Sequence, residues 1–450
     1  MRIALIAMSG VRADNPEVMR AGLSFPGVVE RGKVIASLPS LSLLTLAALT
    51  PPEHEVSYHE VLDLDEPGTL GVEADLVAIS TFSAQSLDAY RLADRFAARG
   101  VPVVMGGLHV TALPDEALAH ATSVVIGEAE PVWARLVADA AAGRLRRVYR
   151  AGDGEEFDLC ASPVPRYDLL DISKYNRLTV QTSRGCPHKC EFCASSILLT
   201  KRYKLKPVER VIGEIRAIKE HWSRPFIEFA DDNSFVNRAH TRDLLAALER
   251  EHVVWFTEAD VSVADDPGLL AAMRRAGCRQ LLLGLESPRR EGLDGVETRA
   301  NWKLRQLSKY ERAVRTIQSH GITVNGCFIL GLDGDDASVF GAVEDFVERT
   351  GLYDVQITVL TPFPGTPLYG RLLAEGRIIE PGAWNKCTLF DVNFHPRLMG
   401  AAELQSGLID LASRLYSLEA VSRRHRGFFE GLAGEIRRTS HALRGIAEMN

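Results

Sequence analysis

The chain has 450 residues, 46% of them hydrophobic and 25% charged, and its 52 basic against 59 acidic side chains give a net charge of −7. That length holds two or three domains of roughly 150 residues each, and the charge is not the footprint of a general nucleic-acid binder. No apolar run reaches the ~20 residues that span a bilayer, so no transmembrane segment is expected. The opening "MRIALIAMSG" has one basic residue, a short apolar run and no clear small-residue cleavage site, and reads as the first buried strand of a cytoplasmic protein.

Apolar or β-rich runs at 2–8, 55–61, 74–81, 101–107 and 123–130 read as strands, with helical stretches at 39–49, 85–99, 114–120 and 130–142 between them. Buried strands alternating with helices predict a doubly wound, flavodoxin-like parallel sheet over residues 1–150, with helices on both faces. Ligands on such sheets bind beyond the carboxyl ends of the strands. The loops expected there are residues 9–39, 80–83, 106–111 and 127–130. Gly106 and Gly107 allow a backbone to approach a large ligand closely, and Ser80, Thr81 and Ser83 offer hydroxyls. The segment 9–40 is long for a first βα loop, and ordered loops of that length are often functional.

Residues 151–177, rich in Gly, Pro and acids, read as a linker. A second series follows, with strands at 178–183, 225–230, 253–259, 279–285, 323–331 and 353–360 and helices at 207–222, 239–252, 266–276, 305–320 and 337–350. Right-handed crossovers would curl these six strands into a partial (β/α)6 TIM-like barrel over residues 178–370, open on one side. Within it, "KRYKLK" (201–206) is either a local basic patch or a solvated loop. Residues 371–450 read as a mostly helical C-terminal region. Its stretch 383–396 would close the open side, so Tyr369, Trp384, Asn385, Cys387 and His395 are substrate-pocket candidates, against ordinary packing. The Arg-rich amphipathic helices beyond 401 would pack on the barrel, or meet a partner or a membrane surface.

Seven cysteines, an odd number in a long chain, argue against a disulfide framework. Cys278 and Cys327 lie in apolar surroundings and read as small buried residues. Cys186, Cys190 and Cys193 stand apart, in a C-x3-C-x2-C triplet within "RGCPHKCEFC", directly after the first strand of the second series. Gly185 and Pro187 suit a loop wrapped around a metal centre. Structural zinc takes four protein ligands, and a fourth could be His188, but it lies between the cysteines and would have to fold back. A [4Fe–4S] cluster also takes four ligands, so three cysteines leave one iron open to bind a substrate or cofactor and pass it an electron.

The triplet at the head of a βα barrel resembles the radical S-adenosylmethionine (SAM) superfamily. The resemblance implies that the open iron of a [4Fe–4S] cluster held by Cys186, Cys190 and Cys193 chelates SAM, whose reductive cleavage yields a 5′-deoxyadenosyl radical. It further implies Phe192 near the adenine, Asp231 on the SAM amino group, Glu258 on the ribose, Glu286 and Ser287 at the methionyl or ribose end, and the backbone of Leu330 and Gly331 near the adenine. The acid pair Asp231 and Asp232 could instead bind a divalent cation, or serve only the loop.

The N-terminal domain is similar to the cobalamin-binding modules attached to one radical SAM subgroup, through "ISTFSAQ" (79–85), "GGLHVTALPDEAL" (106–118) and "GEAEPVW" (127–133). This implies cobalamin contacts at Ser80, Thr81, Phe82, Ser83, Gly106, Gly107, His109, Gly127 and Glu128, with the 9–40 loop over the corrin or the barrel mouth. The D-x-H-x-x-G motif of some cobalamin proteins is absent, and His109 stands in a G-G-L-H-V context. The function expected is a cobalamin-dependent radical SAM C-methyltransferase acting on a small molecule, with an external electron donor of flavodoxin or ferredoxin type and no nucleic-acid partner. Radical ring formation or rearrangement without methyl transfer, and a non-catalytic cluster- or cobalamin-binding sensor, are the alternatives.

Overall fold

The computed structural model describes residues 1–11, 13–20, 38–65, 71–152, 155–199 and 202–447, so most of the 9–40 loop lies outside the described residues. The chain forms two compact units, Met1–Asp232 with Thr361–His395, and Asn233–Leu360 with Pro396–Asn450.

The first unit opens on a six-stranded sheet of β1 (Arg2–Met8), β2 (Glu55–Val61), β3 (Leu76–Ser80), β4 (Val103–Gly106), β5 (Ser123–Ile126) and β6 (Val148–Arg150), in the order β2-β1-β3-β4-β5-β6. Every pairing in it is parallel, which is the doubly wound arrangement expected. The pleat explains why β1 is apolar throughout: Ala4, Ile6 and Met8 enter the core on one face, and Ile3, Leu5 and Ala7 the core on the other. Helix α1 (Leu41–Leu49) is capped by Ser40, whose hydroxyl accepts the Leu43 N–H. It shares the second core with α3 (Glu130–Ala141), whose Trp133 donates its indole N–H to Thr50 at 2.9 Å. Helix α2 (Ser86–Ala97) packs on the opposite face through Ala89, Tyr90, Leu92, Ala93 and Phe96. Two features depart from the sequence reading. The loop expected at 106–111 turns into a short helix, Leu108–Ala112, and the sheet gains β6, whose buried Tyr149 pairs with Val125.

All six strands expected after residue 178 form. In the first unit β7 (Leu178–Val180) pairs parallel with β10 (Phe226–Phe229), and α4 (Val208–His221) lies between them in sequence. In the run 201–206, Lys201 lies outside the described residues and Arg202 is exposed, while the residues after Tyr203 are built into the fold. Lys204 and Leu205 form β9, antiparallel to β8 (Ser183–Arg184), and Lys206, 2% exposed, is ion-paired with Glu214 at 2.5 Å. In the second unit β11 (Val254–Ala259), β12 (Cys278–Glu286), β13 (Thr323–Leu330) and β14 (Asp354–Val359) form a continuous parallel series. Leu281, Leu283, Leu285, Val324, Phe328, Val355 and Ile357 are fully buried along it. The last two helices are α5 (Ala401–Leu415) and α6 (Leu418–Ala447). A Cβ on Gly407 of α5 would lie 2.1 Å from the Phe340 ring, so the glycine is what lets that helix sit close. In α6, His425 stacks on Tyr353 at 3.9 Å and meets Asp354 at 3.1 Å. No helix among the described residues is long and apolar enough to cross a membrane.

Candidate active site

The cysteine loop is held by two adjacent acids at the end of β10. Asp231 Oδ1 accepts the N–H groups of Thr182 and Ser183 at 2.8 and 2.9 Å, and its Oδ2 takes the Thr182 hydroxyl. Asp232 brackets the loop itself: Oδ2 accepts the Gly185 N–H at 2.8 Å, just before Cys186, and Oδ1 accepts the Ser195 hydroxyl at 2.5 Å, just beyond Cys193. Gly185 turns the chain with a φ of +95°, a region open to glycine. Inside the bracket the Cys193 N–H donates to the Cys190 carbonyl at 3.2 Å, and Lys189 Nζ donates to the Ser196 carbonyl at 2.8 Å. The Leu368 N–H donates to the Glu191 carbonyl at 3.1 Å, and Arg371 grips the Glu191 carboxylate at 2.6 Å. Cys190 is buried, Cys186, Phe192 and Cys193 are half-buried, and no cysteine of the chain forms a disulfide. Among the described residues no group of three His, Cys, Asp or Glu side chains is placed to hold a metal ion. Three cysteines on one braced loop, none of them in a disulfide, suit a cluster that takes each thiolate on a different iron. Asp231, the acid singled out from the sequence, is thus a buried anchor of this loop, and Asp232, its unchosen neighbour, is the residue that spans the cysteines.

Beside this loop lies a cavity of about 270 Å³ at the carboxyl ends of β3, β4 and β5. Its inner wall is apolar, with Leu43, Leu46, Ala78, Val104, Val125 and Trp133, and its outer wall carries Ser80, Gly106, Gly107, Gly127, Glu128 and Glu130. Gln181, Arg184, Ser195 and Asp232 complete it from the cysteine loop and its anchors. At Gly107, φ is +109° and a Cβ would lie 2.6 Å from the Thr81 carbonyl, so only glycine keeps this mouth open. Arg184 ties the walls together, donating to Glu128 at 2.7 Å, to Glu130 at 2.8 Å and to Gln181 at 3.0 Å. Lys204 Nζ meets both Glu128 oxygens at 2.9 Å, and the Phe157 N–H adds a third donor at 2.9 Å. Burial alone would raise the Glu128 carboxyl, but the bonds from Lys204, Arg184 and the Phe157 N–H outweigh it and hold it below the usual carboxylate range. A ligand with a flat apolar appendage and a polar rim fits this lining.

In the second unit the strand ends carry the residues expected there. Glu258 is exposed at the end of β11, and its carbonyl accepts the Ser234 N–H at 3.2 Å. Glu286 closes β12 with a φ of +62°, rare for a residue with a side chain, at a register shift between Gly284 and Glu286. Its carboxylate takes Lys303 Nζ at 2.7 Å, and the same ammonium donates to the Gly284 carbonyl at 2.8 Å. Ser287 is fully buried, and its hydroxyl accepts the Arg289 N–H at 3.2 Å. Leu330 is buried, and Gly331 after it has a φ of +87°.

The sequence model of the radical SAM superfamily matches residues 180–347, and that of a domain of unknown function, DUF4070, matches residues 366–449. An uncharacterised methyltransferase of Synechocystis sp. is 30% identical over 371 residues, 80% of this chain and 67% of that one. The chain belongs to the radical SAM superfamily. A second relative, the bacteriochlorophyllide d C-12(1)-methyltransferase of Chlorobaculum tepidum, is 29% identical over 410 residues, 89% of this chain and 87% of that one. Among solved structures the fold matches TsrM from Kitasatospora setae, a radical SAM methyltransferase with cobalamin and a [4Fe-4S] cluster bound, with a TM-score of 0.67 at 16% identity over 93% of this chain and 89% of that one.

In this radical SAM chain the remaining expected residues divide. Ser80, Gly106, Gly107, Gly127 and Glu128 line the cavity. Thr81 and Ser83 are buried off it, and Phe82 is exposed at the end of β3. His109 is fully buried, with Nδ1 3.1 Å from the Ser83 hydroxyl and Nε2 3.0 Å from the Tyr90 hydroxyl. Burial pushes its pKa down, partly offset by Glu116. Tyr369, Trp384 and Cys387 gather on the strap 361–395, the Tyr369 and Trp384 rings 5.6 Å apart, and burial pushes the Cys387 thiol up to about 12. Asn385 instead donates to Asp14 at 2.9 Å, and His395 is exposed, its backbone paired with Arg377. Arg184, Glu130 and Lys303 have no role in the reading of the sequence, and Asp232 enters it only as half of an acid pair. Only Arg184 carried a usable signal, an arginine directly before the glycine of the cysteine motif.

Proposed function

We propose that this protein is a cobalamin-dependent radical SAM methyltransferase that methylates an unactivated carbon of a small molecule. One observation carries the reading: the cavity at the strand ends of the N-terminal sheet has the flanks of the cysteine loop as its other wall, through Gln181, Arg184 and Ser195. A ligand seated there lies beside the loop that would hold the cluster.

In this reading Cys186, Cys190 and Cys193 hold the [4Fe–4S] cluster, and Asp231 and Asp232 fix their loop before any cofactor arrives. Glu258, Glu286, Ser287 and the backbone at Leu330 and Gly331 are the SAM contacts assigned to the second unit, where the Lys303 ammonium orients Glu286. Gly106, Gly107, Gly127 and Ser80 form the rim for the corrin, and the slot lined by Leu43, Ala78, Val104 and Trp133 takes its apolar appendage. When bound, cluster and SAM together supply hydrogen-atom abstraction and cobalamin supplies the methyl group, so the chain's own task is orientation and exclusion of water. The electron is assigned to an external donor of flavodoxin or ferredoxin type. Seven cysteines without a disulfide support work in the cytoplasm.

The test is anaerobic incubation of reconstituted protein with SAM, cobalamin and reductant, followed by mass analysis. The expected products are 5′-deoxyadenosine and S-adenosylhomocysteine together. Deoxyadenosine alone would remove methyl transfer and favour radical ring formation or rearrangement. Cys186→Ala, Cys190→Ala and Cys193→Ala should each abolish both products along with the bound iron.

A further inference from the structure

We propose that Arg184 is a positioning residue that couples occupancy of the strand-end cavity to the geometry of the cysteine loop, an inference that rests on the cobalamin and cluster assignments above. Arg184 is only two residues before Cys186, and the Gly185 between them is pinned by Asp232. Its guanidinium reaches the loop 127–130, where Nη1 meets Glu128 at 2.7 Å and Nη2 meets Glu130 at 2.8 Å. Two nitrogens of one rigid plane thus fix the positions of two carboxylates relative to the start of the cysteine loop, a task a lysine's single point charge does less well.

The distribution of bonds indicates what the pairing adds. Glu128 keeps Lys204 and the Phe157 N–H whether or not Arg184 is present, so loop 127–130 has a hold of its own. The arginine adds a direct link to the cysteine segment beside the one that Lys204, opposite Arg184 in the β8–β9 pair, makes through Glu128. Glu128, Glu130 and Arg184 all line the cavity, so an occupant that shifts the loop by a few tenths of an ångström moves Arg184 with it, and Gly185 and Cys186 follow. Coupling of this kind is reciprocal: if the occupant changes the cysteine loop, the state of the cysteine loop changes the occupant's affinity by the same factor.

The experiment titrates aquacobalamin into the full-length protein by absorbance, in cluster-free form and after anaerobic reconstitution of the cluster. In the wild type the two affinities should differ by about 5-fold or more, the lower range of such couplings. Arg184→Gln should still bind both cofactors, with the ratio falling to about one, and Arg184→Lys should restore part of it. Glu130→Gln weakens one of the two arms from the other side, leaving Glu128 in place, and should lower the ratio if Arg184→Gln does not fold or takes up no iron. Equal affinities in the two wild-type forms, or a wild-type ratio in the folded variants, would overturn the proposal. A wild-type protein that binds no aquacobalamin in either form would instead remove the functional reading, and this inference with it.

Discussion

The indole N–H of Trp384 donates to both carboxylate oxygens of Glu116, at 3.0 and 3.2 Å, across 268 residues of sequence. Glu116 also meets His109 Nε2 at 3.4 Å, and the Trp384 ring lies edge-on to His109 at 5.5 Å. Trp384 therefore fastens the strap to the N-terminal sheet, with its one polar atom already engaged. Trp384→Phe keeps most of the ring and removes the donor. Because the Glu116 side chain is 37% exposed and can turn to water, the cost should be modest, about 1 kcal/mol. A urea titration should show a lower midpoint with an unchanged slope, and reconstituted iron should match the wild type. A midpoint equal to the wild type would contradict the role given to this bond.

Asp231 and Asp232 should fail in different ways. Asp232→Ala frees the Gly185 N–H and the Ser195 hydroxyl at the two ends of the cysteine loop, so the loop loses its shape while the core is untouched. Most of the iron uptake after anaerobic reconstitution should be lost, with stability within about 1 kcal/mol of the wild type. Asp231→Ala strips two buried N–H groups and a hydroxyl of their acceptor and should cost about 2–4 kcal/mol. Iron analysis beside denaturation of both variants checks the pair. Equal loss of iron with equal loss of stability would show that the two acids do one job.

Burial pushes the Asp335 carboxyl up to about 7, against the N–H groups of Leu332 and Gly331 and the charge of Arg289, which pull it down. Glu214 is likewise pushed up to about 7 by burial, against the pull of Lys206. A folded-state pKa above the unfolded one means the native protein holds the proton more tightly. The stability is therefore present in full below about pH 4 and is lost as the pH rises through about 7. Urea titrations at about pH 5 and about pH 8 should show the wild type weaker at the higher pH, and Asp335→Asn should shrink that difference. An unchanged difference in the variant would mean that Asp335 ionises without cost.

Much of the fold was legible because a buried parallel sheet leaves a local mark. The run from Ile3 to Met8 alternates between two cores and has to be apolar at every position. Strand β6 left no such mark, since its three residues, Val148 to Arg150, include one buried side chain and two exposed ones. The cysteine triplet is a spacing, and spacings survive in sequence. Which of two neighbouring acids faces the loop depends on the pleat at the end of β10, which a sequence does not carry. The bond from Arg184 to Glu130 joins residues 54 apart, with no periodicity to betray it. His109 stood in a glycine-rich context that suggested a ligand, but Ser83 and Tyr90 engage its ring from positions 26 and 19 residues away.

The slot between the sheet and its helices gives the cleanest test of the cavity. Ala78 sits on β3 opposite Val104 of β4, is 4% exposed, and lines the apolar wall. Ala78→Leu adds three carbons into a space of about 270 Å³, so the side chain has room and the fold should hold without the strain of an overpacked core. The added volume occupies what the ligand's apolar appendage would fill. Aquacobalamin affinity should fall ~10-fold or more, about 1.4 kcal/mol, measured by absorbance titration. Iron uptake should stay at the wild-type level, because none of the bonds that fix the cysteine loop involves Ala78. That separates this variant from Asp232→Ala, which should lose iron. An unchanged affinity in Ala78→Leu would mean that whatever binds at the strand ends leaves the inner slot unused, and the corrin would have to be sought on the rim alone.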